Sequence, residues 1–116
     1  MTINGVHAVI HSKDAGALRA WFRDILGYRS VDAGDGWLIF ALPPAELGIH
    51  PAERNGTHEL YLLCDDIEKT VAELNEKGVP TGEITDLPWG RLTTITAPEG
   101  STIAMYEPTH PKAIDI

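Results

Sequence analysis

Three histidines and one glutamate stand where their spacing could gather a divalent metal. His7 and His58 are 51 residues apart, and each lies near the start of a short β-branched or apolar run. His50 and Glu107 each precede a proline, Pro51 and Pro108, at the end of another such run. Three neutral imidazoles and one carboxylate form a donor set suited to Zn, Ni, Fe or Mn. All three imidazoles would have to bind unprotonated, so metal affinity should fall at acidic pH. Any one of the four alone reads more simply as a solvated or hydrogen-bonded side chain. No C-x-x-C or H-E-x-x-H motif accompanies them. What raises them together is the repeat.

The repeat is positional. Adding 51 carries Gly5 onto Gly56, His7 onto His58, Asp14 onto Asp65 and Gly27 onto Gly78. At a slightly longer offset Pro51 falls on Pro108, which brings His50 onto Glu107. The elements that must position these residues repeat as well. Val6–His11 has strand character, and from Ala15 the period becomes helical, with Leu18, Trp21, Phe22 and Ile25 on one face behind an Asp14 cap. Strands are expected at 29–33, 37–42 and 46–50, with Gly34-Asp35-Gly36 as a turn. The polar stretch 52–57 links to a second set: a strand at 58–64, a helix behind Asp65-Asp66 bearing Ile67, Val71 and Leu74 inward, and strands at 79–85, 91–96 and 102–107. The repeat reads as α+β, a pair of βαβββ modules with one helix each. One domain results, with module one at 1–51, module two at 58–108 and a tail at 109–116. Period-2 alternation puts Ile103, Met105 and Glu107 on one face, as it does His58, Leu60, Leu62 and Cys64.

Composition narrows the function classes. The chain has 116 residues, 43% of them hydrophobic and 22% charged, as in an ordinary globular protein. Nine basic against 17 acidic residues give −8, which repels phosphate backbones and anionic membranes, so neither nucleic acid nor membrane is expected as a partner. The start shows no basic stretch followed by an apolar one, and the lone Cys64 fits a reducing compartment, so the expected location is the cytoplasm. An acidic neighbourhood at Asp65-Asp66 raises a thiol pKa, so Cys64 is not read as a nucleophile. Trp89 and Arg91, around the entry to a second-module strand, could hold an apolar body and an anion of a bound substrate. Trp37 could wall the same pocket, or be core.

The chain resembles the vicinal oxygen chelate superfamily, which contains glyoxalase I, bleomycin-resistance proteins, thiol transferases for fosfomycin and extradiol dioxygenases. The resemblance runs from Val6-His7-Ala8-Val9 through Phe22-Arg23-Asp24-Ile25-Leu26-Gly27-Tyr28 and the stretch Val71–Val79 to Ile103-Ala104-Met105-Tyr106-Glu107-Pro108. It implies an α+β fold of two βαβββ modules forming a cupped, mostly antiparallel sheet with one helix per module outside, around a divalent metal held by His7, His50, His58 and Glu107. His50 departs from glyoxalase I enzymes, which often carry glutamate there, and leaves Glu107 as the base that moves a proton beside a carbonyl. Two functions are expected from it. One is a metal-dependent lyase, isomerase or epimerase acting on a small oxygen-bearing substrate through an enolate or alkoxide. The other is a metal-free drug- or metabolite-binding protein of the bleomycin-resistance type. Ring-cleaving dioxygenase chemistry would need Fe and two open positions, one of which His50 could fill, and such enzymes are usually longer. The resemblance also implies a homodimer, with modules paired within a chain or swapped between chains.

Overall fold

A computed structural model describes residues 7–49, 51–56 and 58–115. The fold is α+β, with one helix in each half and two sheets. Helix α1, Ala15–Asp24, forms because Leu18, Trp21 and Phe22 fall on one side at helical spacing, and all three are buried. The Asp14 carboxylate accepts from the Ala17 N–H and closes its first turn (3.1 Å). Helix α2, Ile67–Glu76, repeats the device with Asp66, which accepts from the Lys69 N–H. The cap is thus the second aspartate of the pair, so the helices are related by 52 residues rather than 51. Gly27 and Gly78, at φ 73° and 79°, follow the two helix ends in the left-handed region that favours glycine.

Strands β1 (Ser30–Asp32) and β2 (Leu38–Phe40) form an antiparallel hairpin. Its turn closes on the Asp32 carboxylate, which accepts from the N–H groups of Gly34 and Gly36. The second half is a four-stranded sheet in the order β3-β6-β5-β4, with β3 at Tyr61–Leu63, β4 at Thr85–Leu87, β5 at Gly90–Thr96 and β6 at Thr102–Pro108. β3 runs parallel to β6, and the other pairs are antiparallel. One face of this sheet carries Ile95, Ile103 and Met105 against Leu18, Trp21 and Phe22 of α1 and Ile67 and Leu74 of α2. Ile67 and Ile95 are wholly buried, each contributing roughly 1.5–3 kcal/mol.

The structure departs from the sequence expectations at three strands. Residues 7–11 and 46–49 form no strand, although Val9, Leu47 and Ile49 suit one. β-propensity records packing against a neighbouring strand, and these segments have no ladder partner among the described residues. Position 50 and Val6 lie outside the described residues. The strand expected at 79–85 is broken: Gly82 N–H donates to Thr94 O and Thr96 N–H to Pro80 O, and regular pairing resumes only in β4. Among the described residues, the first half holds a two-stranded sheet and the second a four-stranded one.

Candidate functional site

Glu107 is on the helix side of the sheet. In β6 it shares a face with the buried Ile103 and Met105, and its Oε1 accepts from the backbone N–H of Ile67, the first residue of α2 (3.0 Å). Together with Asp66, which takes the Lys69 N–H, it therefore satisfies two of the open N–H groups of that helix start, where negative charge is favoured. The parallel register that pairs Leu63 with Tyr106 sets Cys64 beside Glu107. His58 lies six residues before Cys64, roughly 20 Å of extended chain away. His7 and His58 are both exposed, and His50 lies outside the described residues. No group of three His, Cys, Asp or Glu side chains able to hold a metal ion occurs among the described residues. Among the described residues, His7, His58 and Glu107 are not brought together as a group.

Arg91 shares the face of Glu107, its cross-strand partner. Its Nε pairs with Asp86 of β4 (2.9 Å) and its Nη2 with Glu68 of α2 (3.2 Å), and these carboxylates hold the guanidinium pKa up. Its charge is already matched. Trp37 stands apart on the β1–β2 hairpin, 62% exposed, with the Arg19 guanidinium 4.6 Å from its ring centroid.

The opposite face of the sheet carries a different arrangement. Tyr61 of β3, Tyr106 of β6 and Trp89 of the β4–β5 turn meet edge to face: Trp89–Tyr106 at 4.9 Å, Tyr61–Tyr106 at 5.7 Å and Tyr61–Trp89 at 6.2 Å between centroids. Tyr61 and Trp89 remain 38% and 37% exposed, so ring surface is left for another aromatic body. Gly90 makes the cluster possible, since a Cβ there would stand 2.8 Å from both the Tyr106 ring and the Glu107 carbonyl oxygen. Carboxylates flank the rings. Tyr61 Oη donates to Glu59 (2.6 Å), and this bond foremost pushes its phenol pKa up. Desolvation, then the nearby Glu46 charge, does the same for Tyr106. Of the three rings only Trp89 was singled out from the sequence. The two tyrosines could have been found from parity, because Tyr106 alternates with the apolar Met105 and Ile103, and Tyr61 with Leu62.

Beyond β6 the chain turns back over the end of the sheet. Thr109 N–H donates to Trp89 O, and His110 Nε2 lies 3.0 Å from Tyr106 Oη. A cavity of about 240 Å3 beneath this segment is lined by Cys64, Asp65, Glu107, His110, Lys112 and Asp115 among others. Burial foremost pushes the Cys64 thiol pKa up, with Glu107, Asp65 and Asp66 adding to it, so the cavity holds a thiol rather than a thiolate nucleophile.

Comparison with known proteins agrees with the fold. No curated protein matches the chain. Among solved structures, the chain is similar to TnmS3, an antibiotic binding protein from Streptomyces sp. CB03234, at 26% identity and TM-score 0.66, covering 94% of this chain and 99% of that one. It also shares the fold of a lactoylglutathione lyase from Agrobacterium tumefaciens, at 16% identity and TM-score 0.65, covering 92% and 96% of the two chains. A superfamily member from Sphaerobacter thermophilus DSM 20745 shares the fold at 24% identity and TM-score 0.62, covering 92% and 99%. Residues 6–105 match the Glyoxalase/Bleomycin resistance protein/Dioxygenase superfamily, and the chain belongs to it.

Proposed function

We propose that the chain binds a small molecule carrying a planar aromatic ring, with a positive charge or hydrogen-bond donors at its edge. The carrying observation is the face formed by Tyr61, Trp89 and Tyr106, where Tyr61 and Trp89 each keep more than a third of the residue surface exposed. Glu59 and Glu46 beside those rings, and the net charge of −8, favour a cationic ligand. The similarity to an antibiotic binding protein supports the same reading. The chain acts as a single domain of two repeated halves. The cytoplasm fits its one free cysteine. A homodimer would cover Val9, Val31, Leu47 and Ile49, all large apolar side chains left exposed.

Proflavine, a planar cationic dye, tests this by fluorescence titration. An aromatic contact contributes about 0.5–1.5 kcal/mol beyond area burial, so Trp89→Ala should weaken binding roughly two- to tenfold. Wild-type affinity in both the Trp89→Ala and Tyr61→Ala proteins would refute the assignment of this face.

A second reading rests on the paired histidines. In it His7, His50, His58 and Glu107 hold Zn, Ni, Fe or Mn, and Glu107 moves a proton in a lyase or isomerase reaction. Metal analysis of protein purified without chelators separates the two. A stoichiometric ion lost in His58→Ala would favour the enzyme over the binding protein.

A further inference from the structure

We propose that the C-terminal segment Thr109–Asp115 is a latch fastened by Glu46, holding His110 against Tyr106 so that the tail competes with the ligand for the aromatic face. The inference rests on the binding function proposed above and adds its regulation. Around Tyr106 three rings are arranged: Trp89 at 4.9 Å, Tyr61 at 5.7 Å and the His110 imidazole at 5.9 Å, tilted 47°. Two of these belong to the sheet and its turn. The third is brought by the tail and occupies a flank of Tyr106 that a ligand ring would otherwise reach.

The fastening is concentrated on one side chain. The Glu46 side chain is only 17% exposed, and its Oε2 accepts from the backbone N–H of Ala113 (2.8 Å), 67 residues on. Its Oε1 lies 3.9 Å from His110 Nε2. The imidazole is held from its other side as well, with Nδ1 2.6 Å from Pro111 O, so in the neutral ring Nδ1–H donates there and Nε2 accepts from Tyr106 Oη. The remaining ties are looser. Lys112 Nζ is 3.7 Å from Asp65 and 3.6 Å from Asp115, both exposed. Thr109 Oγ1 donates to Pro88 O, and its N–H to Trp89 O, so the segment is pinned at its start. Pinned at one end, and fastened near the other by Glu46 with only the exposed Asp65 as a looser second tie, the segment can swing when Glu46 lets go.

Ala113→Pro tests the latch with least disturbance. It removes the N–H that Glu46 accepts, at the first residue of a 3-10 turn, where proline's fixed φ is tolerated. Hydrogen exchange of the Asp115 amide, which donates to Lys112 O within the turn, should quicken at least tenfold, while the Thr109 amide, pinned to Trp89 O, keeps its rate. Glu46→Gln, which keeps an accepting oxygen, should stay near the wild-type rate. Proflavine should bind Ala113→Pro and His110→Ala roughly fivefold more tightly, since a competing closed state no longer lowers the apparent affinity. Exchange that is equally fast in wild type and Ala113→Pro would overturn the latch, as would a freed tail with unchanged dye affinity. Dye that binds none of the proteins would overturn the ligand reading and the competition together, while the exchange rates would still report the fastening separately.

Discussion

Removing the Glu107 side chain separates the two roles this carboxylate can have. Ile67 is wholly buried, and its N–H donates to Glu107 Oε1 at 3.0 Å. Glu107→Ala leaves that donor without its partner at a helix start, and a lost bond to a charged group costs about 1.5–3 kcal/mol. For a domain of this size, each kcal/mol lowers the melting temperature by roughly 3–6 °C. A loss of about 2 kcal/mol is a large share of a typical domain's 5–15 kcal/mol. Glu107→Gln retains an oxygen acceptor and should cost about half as much, because only the charge assistance is lost. Urea unfolding followed by circular dichroism measures both variants in chelator-treated protein, with the Ile67 amide shift as the local report. Stability of Glu107→Ala within about 0.5 kcal/mol of wild type would refute the capping argument. A loss seen only in metal-loaded protein would place Glu107 in a ligand shell instead.

Three further outcomes follow from single features. Gly90→Ala puts a Cβ 2.8 Å from the Glu107 carbonyl oxygen and the Tyr106 ring, so it should lose about 1–3 kcal/mol in urea unfolding and weaken proflavine binding. Gly90→Ala with wild-type stability and binding would contradict the close approach. Burial holds the Cys64 thiol pKa up, so iodoacetamide should label it several-fold more slowly at pH 8 in the native protein than in urea. Equal rates would show the thiol to be open. Hydrogen bonds from Ser101, then Ser12, hold the Glu99 pKa down. Its folded value is below its unfolded one, so its contribution to stability is present above the ordinary carboxylate range and lost as pH falls through the lowered value. Ser101→Ala should return the Glu99 carbon shift titration toward the ordinary range, and an unmoved titration would refute the cause.

The helices were legible because their signal is local. Leu18, Trp21 and Phe22 recur at helical spacing behind Asp14, and Ile67 and Leu74 do so behind Asp66, so each stretch carries its own instruction. Segment 7–11 carries no such closed instruction. Val9 and Ile10 favour a strand only where another edge supplies hydrogen bonds, and sequence alone does not say which edge. The site was legible in part for a related reason. The shared face of Ile103, Met105 and Glu107 could be read from alternation, but not whether that face met helices or a ligand. Once Ile103 and Met105 pack on α1 and α2, Glu107 is drawn to the helix start and Tyr106 to the other side. Arg91 follows the same rule, since it shares a face with the buried Thr93 and Ile95. The Glu46–Ala113 contact joins positions 67 apart through one carboxylate, and no periodicity marks it.

The most direct test of the central claim is a proflavine titration of wild-type and Trp89→Ala proteins, each before and after exhaustive chelation. Saturable binding that survives chelation and weakens in Trp89→Ala is the result predicted for the face of Tyr61, Trp89 and Tyr106. Absence of saturable binding, or binding abolished by chelation and indifferent to Trp89, would contradict it.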